Sequence, residues 1–159
     1  MQNIILMFIH VMAAAVGVGS IAYCLFLSAA ARKAPERDTP PEQSLEYKMM
    51  DVLAPTVLAC VFVLIGTGVY YLLENYTDQV NLKPGYYNVF GMKLLFVLAV
   101  FGLSLYQTFG LRSRISDLDL RPESKKLVAG TLETMAAVSR YLLVTLATAA
   151  FFGIWLARY

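Results

Sequence analysis

Two ionisable side chains, His10 and Lys93, lie inside long apolar segments of the chain. At 1.5 Å per residue, His10 lies about 9 Å inside the first apolar segment and Lys93 about 7 Å inside the third. Such groups in a bilayer need a partner or cost free energy, and they often mark function. An imidazole at this depth predicts an axial metal ligand or a base, and an ammonium predicts a partner for a propionate or a quinone oxygen.

Small residues follow the histidine along its helical face. Ala14 and Gly17 lie four and seven residues after His10, so this face carries almost no side chains and a flat ligand could lie on it. The alternative is helix packing, because Gly17 and Gly19 each have an alanine four residues before them, and small-xxx-small pairs let a second helix approach closely.

Both ionisable residues also have a structural interpretation. The long stem of Lys93 could carry its ammonium to the lipid headgroups. His10 could hydrogen-bond a neighbouring helix. These alternatives remain open at the level of the sequence.

The composition is that of a membrane protein. The chain has 159 residues, 58% of them hydrophobic, with a mean hydropathy of +0.61, and this length predicts a single domain. A formal charge of +2 without a basic, aromatic-rich patch excludes a nucleic-acid partner. Both cysteines lie in apolar runs and form no CxxC motif, which indicates packing residues.

Four apolar segments predict an all-α four-helix bundle whose surface contacts membrane lipids, with spans at 4–30, 52–73, 89–111 and 136–157. Lys and Arg concentrate in the first and third loops, whereas the middle loop has Lys83 alone. By the positive-inside rule the first and third loops are cytoplasmic, and both termini are on the opposite side. The first span lacks the basic region of a signal peptide and is expected to be retained.

This topology brings His10 and Lys93 to similar depth, because the first and third helices enter from the same side. The two groups are therefore expected to line one pocket below the non-cytoplasmic surface. At the cytoplasmic surface, a charge network between helix ends is expected from the residues Asp51, Arg112, Arg114 and Arg140. Pro55 would lie in the first turn of the second helix if Asp51 caps it, and would kink a helix that begins earlier.

Several positions are similar to those of the HemJ-type protoporphyrinogen oxidases and their CopD-like relatives. The similarity covers three of the four spans, in order and in spacing. The matching positions are Phe8-Ile9-His10, Pro55, Gly66, Gly85-Tyr86 and Lys93-Leu94-Leu95. The resemblance implies a small helical protein of the bacterial inner membrane that binds b-type haem. It also implies that His10 and Lys93 are the catalytic residues and that His10 ligates the metal.

The chain departs from the family pattern in its third helix. Histidines of the pattern are replaced by Gly91 and Gln107 here. With one histidine, bis-histidine ligation within one protomer cannot occur. The remaining options are a five-coordinate iron, Met7 or Met92 as second ligand, or a ligand from a partner.

Three functions follow as expectations. The first is a haem- or porphyrin-binding redox protein, with Ala14, Gly17, Met92, His10 and Lys93 contacting the cofactor and a quinone as electron acceptor. The second is a non-catalytic subunit of a respiratory or photosynthetic complex, packed against other transmembrane subunits or a second copy of itself. The third, a copper protein, is disfavoured because the seven methionines form no MxxM cluster.

Overall fold

The computed structural model of the protein describes residues 2–31, 45–74, 85–119 and 125–156. Apart from Gly85, every residue of these ranges is helical. The α-helices are α1 (Gln2–Ala31), α2 (Leu45–Glu74), α3 (Tyr86–Leu105), α4 (Arg112–Asp119) and α5 (Lys125–Leu156). A π-helical turn, Tyr106–Leu111, joins α3 to α4, so these three form one continuous rod.

Four helical segments are long and apolar enough to cross a membrane, as the composition predicts. They are Ile4–Ala30, Tyr47–Glu74, Tyr86–Ile115 and Gly130–Leu156. The first has the predicted bounds. The second begins five residues before its predicted start, and the third extends three residues beyond at one end and four at the other. The all-α membrane bundle is confirmed, and the chain is a multi-pass integral membrane protein.

The helices pack as an up-down-up-down bundle. The most extensive contacts join α1 to α2 and α3 to α5, and further contacts of α1 with α5 and of α2 with α3 close the ring. The N-terminal halves of α1 and α3 therefore share one end with the C-terminal halves of α2 and α5. We call this end, comprising described residues 4–16, 62–74, 85–99 and 150–156, the His10 end. The opposite end is the Arg112 end.

Burial is distributed unequally between these two ends. The core runs from Met50 and Met135 near the Arg112 end, past Leu142 in the middle, to Val61 and Leu146. No described side chain of the His10 end is fully buried. The helices are therefore closely packed from the Arg112 end past the middle of the bundle, whereas the described side chains of the His10 end are at most partly buried.

A polar layer crosses the Arg112 end at the π-helical turn. The Gln107 amide donates to the Ser139 hydroxyl at 2.9 Å, and the Thr108 hydroxyl donates to the Ala54 carbonyl at 3.1 Å. One turn further, the Arg112 guanidinium pairs with Asp51 at 2.6 Å. These bonds join the rod formed by α3, the π-helical turn and α4 to both α2 and α5. Without such partners, polar groups buried there would cost free energy.

The structure revises two local predictions. Because α2 begins at Leu45, Asp51 lies within the helix and pairs with Arg112 instead of capping it, and Pro55 is a mid-helix proline. Among the described residues, the predicted charge network is represented by this one pair, whereas Arg114 and Arg140 are exposed. The loop lysines and arginines of 32–44 and 75–84, which carry the predicted orientation, lie outside the described residues.

Candidate functional site

His10 is half-buried on α1 and bonds directly to α2. Its Nδ1 atom lies 2.7 Å from the Thr67 hydroxyl. The ring also packs against the next residue of α2, Gly68, where a Cβ atom would lie at an ordinary contact distance of 3.7 Å from the imidazole Cε1. The expected hydrogen bond to a neighbouring helix therefore forms, and it uses one of the two ring nitrogens. No described residue bonds to the other nitrogen, Nε2.

Lys93 is half-buried on α3 and lies against α5. A Cβ atom at Gly153 would stand 3.6 Å from its Nζ and 3.7 Å from its Cε, so the ammonium rests close to the α5 backbone. Among the described residues, no carboxylate pairs with it and no side chain hydrogen-bonds it. An ammonium placed this way can pair with an acidic group brought by a ligand.

His10 and Lys93 belong to the same end of the bundle. Each reaches from its own helix to a glycine of the paired helix, His10 to Gly68 and Lys93 to Gly153. Two partly buried polar groups of different chemistry thus lie in the His10 end of the bundle.

Gly17 has a different environment from the one expected of a cofactor contact. It is buried, and a Cβ atom there would lie 3.3 Å from Leu146 Cδ2 and 3.5 Å from Cys60 Cβ. Both α2 and α5 therefore cover this part of α1, as the helix-packing alternative expects. Gly19, in contrast, is exposed with nothing within 4 Å of a Cβ atom. Ala14, between His10 and Gly17, is half-buried.

The two methionines considered as second ligands face outward. Met7 is 57% exposed and Met92 is 47% exposed, which places both thioethers on the lipid-facing surface. Neither is directed at the inward faces of the helices.

Aromatic side chains line the α3 and α5 walls of the His10 end. Phe96 and Phe152 stack with ring centroids 5.6 Å apart, and Phe152 stacks on Trp155 at 6.2 Å. Nearer the end of α3, Phe90 stacks on Tyr86 at 6.1 Å. The contact between Phe96 and Phe152 packs α3 against α5 with the stacked geometry that aromatic rings favour.

Sequence reasoning missed the partners Thr67, Gly68 and Gly153. A usable signal was present: Thr67 lies seven residues before the end of α2 and His10 eight residues after the start of α1. In an antiparallel pair these positions have equal depth, so a polar residue there is a natural partner for the histidine.

Comparisons of the chain with protein-family models, curated proteins and solved structures give no match. The resemblance to HemJ-type and CopD-like proteins therefore remains a prediction. Within the described helices, no three His, Cys, Asp or Glu side chains form a metal-binding group. A haem iron requires one or two axial ligands, so this observation does not bear on haem.

Proposed function

We propose that the protein is an integral membrane redox protein that binds an iron porphyrin, b-type haem, at the His10 end. One observation carries the proposal: an imidazole nitrogen and an ammonium, neither of which has a partner among the described residues, lie at the same partly buried end of the bundle. Haem carries matching chemistry, an iron that accepts a nitrogen ligand and propionates that accept an ammonium. The resemblance to HemJ-type proteins supports the same assignment.

The residues of the His10 end match some of the contacts that a bound haem requires, but not all of those expected. His10 would supply the axial ligand, Lys93 would pair with a propionate, and Ala14 would contact the ring beside the histidine. Gly17 is covered by Leu146 and Cys60, which moves the expected contact toward Gly68 and the aromatic walls. Met7 and Met92 face lipid, so within one protomer the proposal uses a five-coordinate iron.

When bound, the haem would supply one-electron chemistry, with protoporphyrinogen or a quinone as the partner in electron transfer. The protein's part is to orient the ring through His10 and to place positive charge beside it through Lys93. The half-covered apolar faces would exclude water from the group, which sharpens the effect of that charge.

The first test is an absorption spectrum of the purified protein with and without its histidine. We expect a Soret band in the wild type that His10→Ala abolishes, because no other imidazole exists in the chain. Thr56→Val is the matched control, since Thr56 bonds only to the Val52 carbonyl of its own helix, and it should keep the band. A band that survives in His10→Ala would contradict the proposal. Iron and copper contents are measured on the same samples.

The second test concerns Lys93. We expect Lys93→Ala to release haem more readily and to lower its reduction potential, because a nearby positive charge favours the reduced form. Lys48→Ala removes an exposed lysine at the Arg112 end and is the control. Haem retention and a potentiometric titration give the two readouts. An unchanged retention and potential in Lys93→Ala would refute a shared site.

A second candidate function is a non-catalytic subunit of a respiratory or photosynthetic complex. The exposed Gly19, with Ala15 four residues before it, favours this candidate, because a small-residue face of α1 is left open to another transmembrane helix or a second copy. A colourless protein that copurifies with a large assembly would support it. In that case Gly19→Leu should weaken copurification. The absence of colour would refute the haem proposal.

A further inference from the structure

The Thr67 hydroxyl has three acceptor or donor atoms within hydrogen-bond distance. The Val63 carbonyl lies at 2.6 Å, the Leu64 carbonyl at 3.3 Å and the His10 Nδ1 at 2.7 Å. A threonine hydroxyl has one proton to donate and two lone pairs that accept. The short contacts to Val63 and His10 must therefore be divided between one donated and one accepted bond.

The carbonyl contact decides this division. A carbonyl oxygen can only accept, so a contact of 2.6 Å to Val63 requires the hydroxyl proton. If the proton pointed at His10 instead, two oxygens without a proton between them would face each other at this distance. The remaining arrangement has His10 Nδ1–H donating to the Thr67 oxygen.

Other threonines of the bundle show the same bond to their own helix. In each, the hydroxyl donates to the carbonyl four residues earlier, at 2.7 to 2.9 Å: Thr56, Thr131, Thr134, Thr145 and Thr148. This is the usual behaviour of a threonine inside a helix. Thr67 adds to it an accepted bond from another helix.

We propose that Thr67 is a positioning residue that holds neutral His10 in the Nδ1–H tautomer and thereby presents a bare Nε2 to the ligand. This inference rests on the proposed site and deepens it. Nε2 then accepts and cannot donate, so it suits the iron of a porphyrin or the hydroxyl of a quinol. It does not suit a quinone carbonyl, which needs a donor.

The test uses nitrogen-15 NMR of the full-length protein in detergent without ligand. His10 is the only histidine, so labelling with nitrogen-15 histidine gives two ring signals that belong to one residue. At a pH where the ring is neutral, we expect Nδ1 to show a one-bond proton coupling and Nε2 to have the shift of an unprotonated nitrogen. A proton found on Nε2 in the wild type would overturn the proposal.

Matched variants assign the effect to the hydroxyl. Thr67→Val keeps the shape of the side chain and removes the acceptor, so the Nε2–H tautomer should become substantially populated. Thr67→Ser restores a hydroxyl and should restore Nδ1–H, whereas Thr56→Val should leave both signals unchanged. Identical spectra of Thr67→Val and the wild type would refute a positioning role.

Haemin titration of the same proteins provides a second readout. Removing a hydrogen-bond partner of a metal-bound histidine typically weakens metal binding 10- to 100-fold, and for a neutral hydroxyl we expect Thr67→Val to bind haemin about tenfold more weakly. Thr67→Ser should bind like the wild type. If haemin binds none of the proteins, the proposed function fails, while the nitrogen signals still decide the tautomer.

Discussion

The His10 ring shows why two interpretations of one residue need not compete. From the sequence alone, a hydrogen bond to a neighbouring helix and a role in ligand binding are alternatives, because either one provides the imidazole with a partner. An imidazole has two nitrogens, and the bond to Thr67 occupies only Nδ1. The depth and type of this residue could be predicted, but its partner could not, since the rotation of α2 about its axis depends on packing along the whole helix.

At the residue scale, a prediction concerns Asp51 and Arg112. Their ion pair is short but about two-fifths exposed on both sides, and such pairs contribute about 0.2–1 kcal/mol. We therefore expect Asp51→Asn to lower the free energy of unfolding in detergent by less than about 1 kcal/mol, and high salt to reduce the difference.

Glu133→Gln is the matched control for this pair, since Glu133 is an exposed carboxylate of α5. It should leave the unfolding free energy unchanged. A loss of several kcal/mol in Asp51→Asn would contradict the estimate and would indicate that the charge is effectively buried.

The hydrophobic pattern of the sequence predicts some features of the helices but not others. The four apolar runs predict four spans, because the bilayer thickness demands that length. No comparable pattern in the sequence predicts the π-helical turn at Tyr106–Leu111. It widens one turn so that Gln107, Thr108 and Leu111 are all buried, and this arrangement follows from polar partners on α2 and α5. The start of α2 is likewise earlier than predicted, because Asp51 lies within the helix and pairs with Arg112.

At the element scale, two glycines of α1 offer a matched comparison. A Cβ atom at Gly17 would meet Leu146 and Cys60, so Gly17→Leu should force α1 away from α2 and α5. Overpacking of this kind costs about 1–3 kcal/mol. Thermal unfolding in detergent measures the effect.

Gly19→Leu introduces the same side chain two residues further along, where a Cβ atom meets nothing within 4 Å. The isolated protein should tolerate it without loss of stability. Equal destabilisation by both variants would show that contacts with the detergent, and not packing against α2 and α5, set the cost, because leucine has a higher helix propensity than glycine.

At the scale of the whole molecule, the sequence predicts the class, the number of spans and the pairing of ends. It does not predict that full burial among the described residues stops short of the His10 end. The reason is physical: lipid surrounds an apolar side chain as readily as protein does, so hydrophobicity alone does not report whether two helices touch. In the His10 end, Leu98 and Phe152 are both apolar, but Leu98 is 62% exposed and Phe152 is half-buried.

The orientation in the membrane has its own test. Single cysteines at Thr39 and Asn81, in a background with Cys24 and Cys60 replaced by alanine, should react with an impermeant reagent from opposite sides. The lysines and arginines of the first loop predict that position 39 is cytoplasmic and position 81 is not. Reaction of both positions from one side would refute the topology.

The half-covered faces at the His10 end have a consequence for access. Because the described side chains there are only partly buried, a molecule dissolved among the acyl chains would reach them from the side of the bundle. Under the proposed function, a hydrophobic ring system would come to His10 from the lipid, and its concentration in the lipid, instead of in water, would govern how often it arrives.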